Sequence, residues 1–143
     1  MARIKLALPE SFSFSTTLPV RITDLNYGGH VGNDTILTLL HEARVQYLQS
    51  MGFSELDFAG ASLIMGDVAI EFKAELFYGD ALKAYVAAAD FTRVGFDLYY
   101  ELLLKKEGKE VTIAAAKTGM VCFNYGTRKV AAVPQEAVDK MKA

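Results

Sequence analysis

The sequence predicts an α+β fold in which a curved antiparallel sheet wraps around one long central helix. Three observations carry this. Residues 12–23 alternate with a period of two, residues 34–50 carry an apolar face at helical spacing, and the remainder reads as strands separated by turn residues. One helix cannot cover both faces of such a sheet. Wrapping the sheet around the helix solves half of the problem, and pairing two such units buries the rest.

In the first element Phe12, Phe14, Leu18, Val20 and Ile22 share one parity, with Thr16 between them, and Ser13, Ser15, Thr17, Pro19, Arg21 and Thr23 the other. One face is therefore buried and the other polar. Pro19 lacks an N–H and argues for a sheet edge or an irregularity.

A glycine-rich loop follows, with Gly28, Gly29 and Gly32. Ile36, Leu39, Leu40, Ala43 and Tyr47 then form one helical face, opposed by Asp34, Thr38, His41 and Gln49. Val45 interrupts the polar face and hints at cover from another subunit. Asn33 is the expected N-cap, Asp34 suits the positive end of the helix dipole, and Gly52 is the expected stop.

Val68, Ile70, Phe72, Ala74 and Leu76 alternate with polar neighbours, which predicts a strand over 67–76 with that set inside. Tyr78-Gly79-Asp80 is a turn, and 81–92 is a second strand. Residues 96–104 form a third. Glu107-Gly108-Lys109 is a hairpin turn into a long strand over 111–125. A turn over 124–128 leads to a short continuation at 130–133. Pro134 opens a terminal helix over 135–142.

The 143 residues suit one domain, spanning 1–143. With 52% hydrophobic residues the chain can bury a substantial core. Its mean hydropathy of +0.19 is high for a small monomer and points to apolar surface covered by a second copy. A net charge of −2 gives no basic face for nucleic acid. The single cysteine, Cys122, lies in an apolar run and reads as a buried thiol in a reducing compartment. Two histidines without cysteines or acids at ligand spacing predict no metal, and no cofactor is expected. No window has the roughly 18 apolar residues of a membrane span, and the N-terminus starts no signal-like stretch. The expectation is a cytoplasmic protein with no membrane contact.

The chemistry concentrates between Asp24 and Asp34. A glycine-rich loop running into a helix N-terminus offers free backbone N–H groups and a favourable dipole, near Gly32 and Asn33 here. Asp24 and His30 bring acid–base capacity to the same loop. Asp24-Leu25-Asn26, then His30-Val31-Gly32-Asn33, then Glu42-Ala43-Arg44 resembles the signature of the 4-hydroxybenzoyl-CoA thioesterase-like hotdog family, with its D-x-D, H-V-N-N and E-A-R segments. The spacing matches without gaps from Asp24 to Arg44, and a looser match runs on to Arg128 and Pro134. The resemblance implies a hotdog fold, an acyl-CoA thioesterase activity, and a homodimer or dimer of dimers. It places the active site between subunits, lined in part by the partner's 60–75 region.

The chain departs from that pattern where the chemistry is decided. The family's usual catalytic acid is the second of D-x-D, and Asn26 stands there. An amide cannot act as a carboxylate nucleophile or base, although it can orient a water or donate to a carbonyl. Gly32 replaces the first Asn after His-Val. Three carboxylates compete for the vacant role. Asp24 continues the inward parity and equally well braces the loop. Glu42 sits on the polar helix face beside Thr38, Val45 and Gln46, where a partner would desolvate it. Asp34 is otherwise an ordinary first-turn acid. His30 is a candidate base, or a pin for the loop, while His41 reads as a surface group.

The candidate catalytic set is therefore Asp24, Asn26, His30, Asn33 and Glu42. Tyr27, Gly29, Gly32 and Asp34 would meet the substrate, and Lys73, Arg93, Arg128 and Lys129 could meet the CoA phosphates. The function expected is hydrolysis of an acyl-CoA to free acid and CoA. A non-hydrolytic acyl-CoA or acyl-ACP binding module is the alternative, favoured by Asn26. A hydratase on the same scaffold is a third reading that the loop pattern does not favour.

Overall fold

A computed structural model describes residues 3–143. Six antiparallel strands are β1 (Phe14–Pro19), β2 (Ser62–Phe72), β3 (Ala81–Ala89), β4 (Gly95–Lys106), β5 (Lys109–Asn124) and β6 (Lys129–Val130). The helices are α1 (Asn33–Ser50) and α2 (Gln135–Lys142). The sheet order is β1-β3-β4-β5-β2, with β6 paired to β5. The sheet curves around α1, whose Ile36, Leu39, Leu40, Ala43, Tyr47 and Leu48 are buried among Leu82, Val86, Leu98 and Met120. This is the architecture that the periodicities predict.

Glu107 and Gly108 both adopt positive φ at the β4–β5 hairpin, as a two-residue turn between right-twisted strands requires. Helix α1 stops at Gly52, which has a φ of +83°. Its N–H donates to the carbonyl of Gln49, and that of Phe53 to Leu48, so a Schellman motif satisfies the last carbonyls.

Several boundaries differ from expectation. The first strand ends at Pro19, and a 3-10 turn over Ile22–Asp24 follows. That turn breaks the parity, so Ile22 is exposed rather than inside. The strand expected over 67–76 instead spans Ser62–Phe72, with a register shift between Met65 and Asp67. It is an edge strand, and Val68 and Phe72 are exposed on it. After Phe72 the chain leaves the sheet, where Lys73 and Ala74 N–H both donate to the carbonyl of Ile113. The second strand stops at Ala89, before Asp90 with its φ of +54°. Strand β6 covers only Lys129–Val130. The helix cap is Gly32, in extended conformation, and Asn33 is the first helical residue. Pro134 caps α2.

Arg44 is the one buried cation of α1. Its Nε donates to Glu55 Oε1 at 3.1 Å, and its Nη1 lies 3.4 Å from the Tyr100 hydroxyl. Tyr100 in turn bonds Thr118 at 2.7 Å. Helix, connecting loop and the central strands are thereby joined through one polar chain, as a buried charge requires.

Candidate active site

The loop between β1 and α1 is a miniature hairpin. Leu25 bridges Val31, the Asn26 N–H donates to the His30 carbonyl at 2.9 Å, and the Gly29 N–H to the Asn26 carbonyl at 3.1 Å. The Asn26 amide oxygen accepts the Gly28 N–H at 2.8 Å, closing an Asx turn. Gly29 has a φ of +80°, which its missing Cβ permits. Val31 N–H donates to the Leu76 carbonyl at 2.9 Å, so the loop is tied to the segment leaving β2.

These bonds bring His30 and Asn33 to a cavity of about 270 Å³. Lys73 and Glu75 share its wall, and Val31, Ile36 and Ile113 give it an apolar side. His30 Nδ1 lies 3.1 Å from the Val31 carbonyl, which can only accept, so Nδ1 carries the hydrogen. In the neutral ring Nε2 then bears the lone pair, and Nε2 lies 3.9 Å from Glu75 Oε1. No side chain caps the N-terminus of α1. The Thr35 and Ile36 N–H groups donate to the Gly32 carbonyl, which leaves those of Asn33 and Asp34 without an intrahelical acceptor and able to bind an anionic oxygen. Asp34 folds back towards Gly32, where an added Cβ would lie 2.6 Å from Asp34 Oδ1.

The other acids lie elsewhere. Asp24 is buried, as expected, although by the 3-10 turn rather than by strand parity, and accepts from the Arg21 N–H at 2.8 Å and from the Arg21 guanidinium at 3.2 Å. Burial pushes its carboxyl upward, but the hydrogen bonds and charge of Arg21 outweigh this and hold it below the ordinary range. Glu42 lines a separate groove of about 440 Å³ between α1 and β1, with Arg21, Thr38, His41 and Val45. It accepts from Gln46 Nε2 at 2.8 Å. His41 is paired with Glu55 at 3.0 Å.

Tyr27 stands fully exposed at the loop tip. Arg93 and Arg128 lie at the opposite end of the sheet. The Arg93 carbonyl accepts from Val133, and the Arg128 guanidinium sits 5.9 Å over the Phe123 ring. Ile113 at the cavity and Phe123 are ten residues apart on β5, roughly 33 Å. Lys129 neighbours Arg128 in β6. Of the cationic residues singled out from the sequence, Lys73 alone lines the His30 cavity.

Glu75 and Ile113 have no local sequence signal. Glu75 falls on the polar parity of an expected strand, and Ile113 is brought in by the pairing of Phe72 with Ala114. Among the described residues no three His, Cys, Asp or Glu side chains are grouped to hold a metal ion. No helix among them is long and apolar enough to cross a membrane.

The structure superposes on a 1,4-dihydroxy-2-naphthoyl-CoA thioesterase from Synechocystis with a TM-score of 0.79 and 24% identity, covering 91% of this chain and 98% of that one. A 4-hydroxybenzoyl-CoA thioesterase from Pseudomonas sp. strain CBS-3 gives 0.79 at 17% identity, with 90% and 99% covered. These likenesses show the fold, a hotdog. In sequence, the chain is 26% identical over 131 residues to a 1,4-dihydroxy-2-naphthoyl-CoA hydrolase from Nostoc punctiforme, covering 90% of this chain and 84% of the relative. A family model described as the thioesterase-like superfamily matches residues 20–141.

Proposed function

Because this chain belongs to the thioesterase-like superfamily, we propose that it hydrolyses an acyl-CoA thioester to the free acid and CoA. The observation that carries this reading is the uncapped N-terminus of α1 opening on the cavity shared by His30 and Asn33. A thioester carbonyl placed there receives backbone N–H groups as its oxygen becomes negative, which is the largest single contribution in acyl transfer. His30 presents Nε2 as an acceptor for a water or a developing proton. The Asn33 amide orients the carbonyl, Asn26, Gly29 and Gly32 keep the loop in shape, and Tyr27 at the tip meets the substrate from outside. The apolar wall takes the acyl group, and Lys73 lies beside the entrance.

The same reading calls for a second copy of the chain. Strand β2 is an open edge with Met65, Val68 and Phe72 exposed. Antiparallel pairing of two β2 edges about a two-fold axis would set the Ser62 end of one chain beside the Phe72 end of the other. That arrangement supports Arg93 and Arg128 of the partner as phosphate contacts for a CoA bound at the His30 cavity. The buried lone thiol of Cys122 supports a reducing, cytoplasmic setting.

The test is release of free thiol from a panel of short, aromatic and long acyl-CoAs. Turnover above the buffer rate on at least one member is expected, and none across the panel removes the hydrolase reading. Thermal stabilisation by acyl-CoA without turnover would establish the non-hydrolytic binding module instead, the reading that Asn26 favours.

A further inference from the structure

We propose that Glu75 supplies the carboxylate that the loop lacks at position 26 and serves as the general base of hydrolysis. The inference rests on the hydrolase reading above and names a group for it that no sequence motif marks. Among the described residues Glu75 is the one carboxylate that lines the cavity with His30 and Asn33. The competing oxygens are committed elsewhere or lie outside the cavity. The Asn26 amide closes the Asx turn, Asp24 is held by Arg21, Glu42 faces a different groove, and Asp34 does not line the His30 cavity.

Glu75 is also held in place. It precedes Leu76, whose carbonyl accepts the N–H of Val31, and Val31 follows His30. The backbones at the two positions are thus tied together by a hydrogen bond between their immediate neighbours. Glu75 Oε1 and, in the neutral ring, His30 Nε2 are two acceptors 3.9 Å apart on one side of the cavity. A water about 2.8 Å from each would donate one hydrogen to each of them and point a lone pair away from both. The carboxylate is 63% exposed, so such a water exchanges freely with solvent.

The step balances without any further reagent. The water oxygen forms a bond to the thioester carbon while Glu75 takes its proton, and the carbonyl electron pair moves to the oxygen at the helix N-terminus. The tetrahedral species collapses, the carbon–sulfur bond breaks, and the departing thiolate recovers the proton from Glu75. One water enters, and one carboxylic acid and one thiol leave.

Wild type, Glu75→Gln and Glu75→Asp are to be compared on the acyl-CoA that the wild type turns over best. For Glu75→Gln, kcat should fall by about 100-fold or more, with KM within about threefold and the thermal midpoint unchanged. Glu75→Asp should recover part of kcat. A Glu75→Gln variant with kcat within about threefold of wild type overturns the proposal, as does a loss expressed in KM alone. A wild type inactive on the whole panel fails the hydrolase reading and this proposal with it. An active wild type with an unimpaired Gln variant fails this proposal alone.

Discussion

Glu55 Oε1 lies 3.1 Å from Nε of Arg44, and the arginine side chain is only 6% exposed. The pair ties α1 to the segment that connects it to β2. Removing Glu55 leaves a buried guanidinium with the Tyr100 hydroxyl as its remaining partner. Because Glu55 is itself 27% exposed, the loss is smaller than for a wholly buried pair. Glu55→Ala is expected to cost about 2–3 kcal/mol. Urea unfolding measures it, and an unchanged midpoint would show that the pair contributes nothing.

Asp24 should make stability depend on acid. Its carboxyl sits below its ordinary value in the folded state, so the unfolded chain binds a proton more readily. The stabilisation is complete above the unfolded value, near pH 3.9, and is lost as pH falls through the lower folded one. Asp24→Asn should cost about 1–2 kcal/mol of stability at pH 7, seen as a lower thermal midpoint. It should also flatten the decline below about pH 4. Parallel wild-type and variant melting curves across that range would contradict this account.

Cys122 should be chemically silent. It is fully buried, and burial pushes its thiol up to about 11. A disulfide reagent should label it in minutes in 6–8 M urea and hardly at all in the native protein. Rapid native labelling would mean that β5 opens far more readily than its central place in the sheet implies.

Position 26 should separate shape from charge. The Asx turn needs only a side-chain oxygen to receive the Gly28 N–H. Asn26→Asp should keep thermal stability within about 0.5 kcal/mol, whereas Asn26→Ala should lose about 1 kcal/mol. Equal stability of all three forms would show that the turn does not depend on this bond.

These contrasts follow how far each feature could be read locally. Helix α1, the β4–β5 hairpin and α2 are written in neighbouring residues: the Ile36–Tyr47 stripe, Glu107-Gly108, and Pro134. The span of β2 is not. Its limits depend on pairing with β5 and on the irregularity at Gly66, so an apolar alternation at Val68 and Phe72 marks an outward face. The loop and its helix N-terminus were legible because glycines announce them, although the cap expected at Asn33 falls one residue earlier at Gly32. The wall opposite was not, because Lys73, Glu75 and Ile113 arrive there through register and a single bond from Val31 to Leu76. Asp24 is inside as expected, but the 3-10 turn rather than strand parity puts it there and sets its partner Arg21.

The two margins of the sheet are unlike. Strand β1 ends on Pro19, which has no N–H to offer a newcomer, while β2 runs open for eleven residues. Joining β2 to β2 consumes both receptive margins at once and leaves only β1 margins outside. An assembly grown this way would close at that margin after one addition, leaving the shorter β1 strands, each ending in a proline, as its outer edges.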